Sequence, residues 1–169
     1  MITRMVHDPR VHPPQSAAER ASLTAFLDYH RATLAMKCEG VADDDLKRCA
    51  VAPSVLTLLG LIRHMAAVEL SWFSVVLGGA DAQPIWATNA DDGFMVDASD
   101  VRETFVRWHD ACSASRGILA QLPDLDYTVE FDGEPYSVRY VLLHMIEEYA
   151  RHNGHADLLR EAIDGQVGE

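Results

Sequence analysis

Residues 137–165 read SVRYVLLHMIEEYARHNGHADLLREAIDG. Val141, Met145, Glu148, His152, Leu159 and Ile163 recur at steps of three and four, apart from one longer interval. On a helix that turns about 100° per residue they therefore share one narrow face. Ser137 can cap the start of this helix, and Gly165 is suited to its end. Two ionisable groups thus stand inside an apolar stripe, with His144 and His155 at its flanks. Glu147, Arg151, Asp157 and Glu161 point elsewhere and read as solvated surface. A carboxylate or imidazole buried without a partner costs several kcal/mol, so Glu148 needs compensation. Side chains four apart are helix neighbours, so Glu148 and His152 can converge on one cation as an E-x-x-x-H pair, with a third ligand from another helix. The alternative is a polar core network in which Glu148 bonds His152 or an arginine.

The rest of the chain supplies more helices. Residues 1–15 contain three prolines and no apolar period, so they are expected to form a flexible arm with His7 and His12 in solvent. Residues 16–169 are expected to form a single domain. Ser16 and Glu19 match a capping box. Leu23, Phe26, Leu27, His30 and Leu34 then mark a first helix that stops near Gly40. Asp43 to Asp45 suggest a short connecting turn of helix. After Pro53, the positions Thr57, Leu61, His64, Val68, Trp72 and Val75 mark a second, strongly apolar helix that ends at Gly78-Gly79. Val101, Phe105, Trp108, Cys112 and Leu119 predict a third, capped by Asp97 or Ser99 and followed by Pro123. Residues 79–98 are too polar and glycine-rich for a helix. They form a long crossover, read either as a lid or as a surface connection that packs Trp86 and Phe94 onto the helices. Around Asp132-Gly133, TVEFDGEPYS resembles a small hairpin or extended loop.

Four amphipathic helices with no sheet to pack on predict an all-α four-helix bundle, in which His64, Glu148 and His152 can supply three inward ligands at one level. His30 lies on the apolar stripe of the first helix and is expected to be a hydrogen-bonded core residue near the polar cluster. The 169-residue length fits one domain with a sizeable core. A net charge of −12 argues against nucleic acid as a partner. Cys38, Cys49 and Cys112 include no C-x-x-C pair, so neither a disulfide framework nor a cysteine zinc site is expected, and a reducing cytoplasm fits best. The N-terminus lacks a signal-peptide core. The most apolar run, Val55 to Leu77, is interrupted by Arg63, His64 and Glu69, so no membrane span is expected.

The stretches LTLLGLIRHMAAVELSWF at 56–73 and LLHMIEEYARHNGHADLLREAIDG at 142–165 resemble the DinB-like superfamily, in particular its actinobacterial branch of uncharacterised bundle proteins. The resemblance runs from about residue 19 to 165. It is specific in the second and fourth long helices and loose elsewhere. It implies a metal held by His64, Glu148 and His152. Most relatives carry histidine at the position of Glu148, but mycothiol-dependent maleylpyruvate isomerases use a His, Glu, His set, and Glu148 points to that side of the superfamily. Those isomerases have an additional domain that this chain is too short to include, so their reaction is not carried over.

The resemblance further implies a transferase that activates a low-molecular-weight thiol, such as mycothiol, for attack on an electrophilic small molecule. Zinc is the expected ion, with nickel, manganese or iron also compatible with two imidazoles and a carboxylate. His144 and His155, with Glu69 as a weaker candidate, are the groups expected to orient ligands or move protons. Relatives are often dimers, which makes a homodimer an option. The rival reading is a non-catalytic protein in which the ion clamps the second and fourth helices, or a polar network that holds no metal.

Overall fold

The computed structural model describes residues 8, 10–81, 86, 94–96 and 98–168. Four long helices carry the fold: α1 (Glu19–Cys38), α3 (Leu58–Glu69), α4 (Val101–Gln121) and α5 (Val138–Asp164). A single turn, α2 (Asp43–Leu46), follows α1, and the two-stranded hairpin β1 (Thr128–Phe131) and β2 (Glu134–Ser137) precedes α5. α3 continues without a break into a π-helical segment, Leu70–Leu77. The all-α bundle expected from the sequence is the fold observed.

Local chemistry explains most of the boundaries. Thr57 and Ser137 cap α3 and α5 by accepting from the backbone N–H groups of Gly60 and Tyr140. Asp132 and Gly133 both take positive φ, the geometry of a two-residue hairpin turn, and they set the register that pairs Phe131 with Glu134. Gly165 ends α5 in the left-handed region. Two expected caps are corrected. α1 starts after Ala18 with no side-chain cap, because Glu19 turns away to pair with Arg139 of α5 at 2.9 Å. α4 is capped by Asp100, which accepts from Glu103 N–H at 2.7 Å. Ser99 is not its cap, and Asp97 lies outside the described residues.

Leu27 and Leu34 of α1, Leu58, Leu61, Ile62, Met65 and Phe73 of α3 and its extension, Trp108 of α4, and Val141, Leu142, Met145 and Tyr149 of α5 form the core. Phe26, placed on the apolar stripe by its spacing, is instead 46% exposed. α1 lies along α5, joined by Lys37 to Asp157 (2.8 Å) and by Arg160, which donates to the carbonyls of Lys37 and Glu39. Asp157 is therefore an inter-helix ion-pair partner and not plain surface. His12 is exposed as expected, while His7 lies outside the described residues. Within the N-terminal stretch, Arg10 is buried over the Tyr29 ring and donates to Thr33.

By length and composition, Leu58–Leu77 is apolar enough to cross a membrane. Here its apolar side faces the bundle, and at its centre Glu69 is 0% exposed. Both Glu69 oxygens accept from Arg31 of α1 at 2.7 Å. Tyr149 of α5 donates its hydroxyl to Glu69 at 2.8 Å and accepts from Trp108 Nε1 at 2.9 Å, with the Cys112 sulfur 3.6 Å from both. The two charges of a buried pair must be satisfied together, since removing one strands the other. Arg31→Met should therefore cost about 3–5 kcal/mol in urea unfolding. Arg31→Met combined with Glu69→Leu should regain most of that loss. A single variant no weaker than an ordinary surface change would refute the role given to the pair.

Candidate metal centre

His144, Glu148 and His152 follow one another at four-residue steps on α5 and so lie on one face, while His64 reaches them from the middle of α3. Glu148 Oε2 is 3.8 Å from His64 Nε2 and 3.5 Å from His152 Nε2, and its Oε1 is 3.7 Å from His144 Nε2. One ligand atom from each of His64, Glu148 and His152 can be chosen so that all three lie within 4.8 Å of one another. The three side chains are 17%, 23% and 8% exposed, so the cluster is shielded but reachable.

These separations are informative. A hydrogen bond between imidazole and carboxylate closes to about 2.7–3.2 Å, and none of the three does. Donor atoms bound at about 2.1 Å in a tetrahedron stand about 3.4 Å apart along its edges. The Glu148 spacings to His64 and His152 are near that value, so the donor set fits a divalent ion between α3 and α5.

The neighbours of the triad prepare it. His155 Nδ1 is 3.3 Å from His152 Nδ1. One of the two must donate, and when His152 does, its Nε2 keeps a free lone pair directed towards Glu148. Phe94 stacks on His64 with ring centroids 4.6 Å apart and planes 16° from parallel. Its approach depends on Gly60, where an added Cβ would stand 3.0 Å from the Phe94 carbonyl oxygen. Trp72 lies 4.4 Å from His144 between ring centroids.

Of the residues predicted for the site, the structure brings together His64, His144, Glu148, His152 and His155. It separates others. Glu69 is withdrawn into its ion pair with Arg31. His30 pairs with Asn153, whose amide donates to the His30 carbonyl at 3.1 Å, and burial lowers the pKa of His30. Arg63 stacks on Trp86 at 4.1 Å, and its carbonyl accepts from Trp86 Nε1. Cys112 lies on the buried face as expected, with burial the main factor pushing its thiol up to about 12. The lid reading of residues 79–98 falls mostly outside the described residues, but Trp86 is buried and Phe94 packs on the site. The sequence offered Phe94 as a residue packed on the helices but not its place on His64, because a phenylalanine in a long loop carries no register, and Gly60 was missed.

A family model described as Mycothiol-S-transferase matches residues 22–165. Among solved structures, the crystal structure of a conserved protein from Enterococcus faecalis superposes with a TM-score of 0.70 at 13% identity, covering 89% of this chain and 100% of that one. At that identity the likeness concerns the fold. No curated protein matches the sequence.

His152 sets a pH dependence. Burial first, then the charges of His64, His155 and Arg151, hold its pKa down to about 4, against about 6.5 in an unfolded chain. Between those values the unfolded state takes up a proton that the native state refuses. This contribution to the stability of metal-free protein should therefore fall as pH drops through the window and change no further below about 4. Urea midpoints of chelator-treated protein should show a smaller slope over that range in His152→Gln than in the wild type. Equal slopes would place the proton uptake elsewhere.

Proposed function

Because the chain belongs to the mycothiol-S-transferase family, within the DinB-like superfamily, we propose that it transfers a low-molecular-weight thiol of the mycothiol kind to an electrophilic small molecule, with a divalent ion held by His64, Glu148 and His152. The observation that carries the metal reading is the 3.5 and 3.8 Å spacing of Glu148 from two imidazole nitrogens. Zinc suits this donor set, and nickel, manganese and iron also accept it. An ion there would supply Lewis acidity that lowers the pKa of a thiol at a remaining position from about 8.5.

The protein's own groups do the rest. His155 orients the His152 ring through their Nδ1 atoms. His144, beside the second oxygen of Glu148 and partly exposed, is placed to take the proton of an arriving thiol and pass it to solvent. Phe94 excludes water from one face of His64. A purely structural clamp between α3 and α5 is the second reading, favoured by ligands that come from both helices. Against it, Tyr149 and Glu69 already tie those two helices inside the core.

Untagged protein should carry about one divalent ion per chain, and Glu148→Gln, His64→Ala and His152→Ala should each lose it while staying helical. The cobalt form should gain a sulfur-to-metal charge-transfer band when mycothiol is added. Full metal content in both histidine variants would sink the ligand assignment. A metal-loaded protein that gives neither a band nor an adduct with mycothiol, bacillithiol or glutathione would leave only the metal-binding bundle. Loss of helical circular dichroism on chelation would favour the clamp.

A further inference from the structure

Next to His144, three aromatic rings from three different elements form a connected surface. Trp72 comes from the π-helical segment, Tyr136 from β2 and Tyr140 from the first turn of α5. Trp72 is 5.6 Å from Tyr136 and 6.1 Å from Tyr140 between ring centroids, and the two tyrosines are 5.7 Å apart. Tyr140 is also parallel to His144 within 3° at 6.1 Å. Tyr140 is 51% exposed, and Trp72, Tyr136 and His144 are partly exposed, so the surface faces outward.

We propose that the face formed by Trp72, Tyr136, Tyr140 and His144 is the binding subsite for the electrophile, and that this electrophile is a planar, electron-poor conjugated ring of the quinone type. The subsite rests on the thiol-transfer reading for its reaction, but not for its binding. It is continuous with the candidate metal centre through His144, whose Nε2 is 3.7 Å from Glu148 Oε1. Indole and phenol faces carry negative quadrupole charge and so attract the electron-poor face of a ring. A cation would be drawn to the same faces, but it would be repelled by a divalent ion beside them, which a neutral ring is not.

The reaction asks for the same molecule, because a sulfur nucleophile needs an electron-deficient carbon. In the addition, sulfur bonds the ring carbon and the broken π pair moves to the conjugated carbonyl oxygen. The thiol's proton follows to that oxygen, so no oxidant is used and no group leaves.

The test separates ring binding from metal binding. 1,3-Dinitrobenzene is electron-poor, planar and unreactive towards the exposed Cys49. It should bind wild-type protein saturably and quench Trp72, the partly exposed member of a set in which Trp86 and Trp108 are buried. Tyr140→Leu by fluorescence and Trp72→Leu by ligand-observed NMR should each raise its Kd about tenfold or more. The visible spectrum of bound cobalt should stay unchanged in both variants, since neither residue is a ligand. 1,3-Dimethoxybenzene, of similar shape but electron-rich, should bind more weakly, and so, in the cobalt-loaded protein, should tetramethylammonium. Absence of saturable dinitrobenzene binding, unchanged Kd in both variants, or equal affinity for either comparison ligand overturns the subsite. Failure of the protein to take up cobalt overturns the metal reading alone.

Discussion

The Arg31–Glu69 pair is the constraint to which the rest of the bundle conforms. A carboxylate with no exposure survives only when its oxygens are filled, and here Arg31 occupies both at 2.7 Å while Tyr149 adds a third bond. Arg31 comes from α1, Glu69 from α3 and Tyr149 from α5, and Trp108 and Cys112 of α4 complete the set. Apolar contacts tolerate small slips of one helix along another, whereas these bonds do not. The network therefore fixes the axial register of all four long helices. Tyr149 is adjacent in sequence to Glu148, and His152 follows one turn later. Locking the Tyr149 hydroxyl onto Glu69 thus also fixes where Glu148 and His152 stand relative to His64.

Glu69 is also the last residue of α3 before the π-helical stretch. A π turn closes on the fifth residue, so each residue advances by a smaller angle than in an α-helix. Side chains beyond Glu69 fall back towards the face that carries His64. Trp72 consequently meets His144 across the seam between α3 and α5. Carrying the same spacing through a regular helix would have turned it further from that seam. Irregular helix, buried charge and aromatic surface are thus linked within four residues of one element.

Which parts were legible in the sequence follows from this. Helix periodicity and end chemistry report local preference, so α5, with its Ser137 and Gly165 ends, and the Asp132-Gly133 hairpin could be read directly. The inward polar residues His64, Glu148 and His152 were visible because imidazole and carboxylate stand out in an apolar stripe. Arg31 was not visible, since an arginine on a helix normally reads as surface and only its partner 38 residues away reveals it as core. Glu69 was noticed but assigned to the wrong neighbours, because the sequence shows a charge in an apolar run without showing which helix answers it. No residue pattern announced the π segment, and the spacing used for α3 assumed a regular helix. The Ser16–Glu19 pairing failed for a related reason, as a distant arginine outcompeted the local backbone for Glu19.

The two polar clusters of the bundle differ in a way that separates support from function. In the inner one, the charged and phenolic bonds lie between 2.7 and 2.9 Å, and the charges cancel without any guest. In the outer one, Glu148 stands 3.5 to 3.8 Å from three imidazoles and closes a hydrogen bond with none of them, although its side chain is less than a quarter exposed. A network evolved only for stability would gain by contracting to hydrogen-bond distance. The register imposed by the inner cluster holds the outer one apart, at the spacing that donor atoms adopt around a shared ion. The rigidity that Glu69 and Tyr149 impose thus keeps Glu148 short of a closed hydrogen bond with either His64 or His152, and this open spacing is the physical basis for reading the three as a candidate binding site.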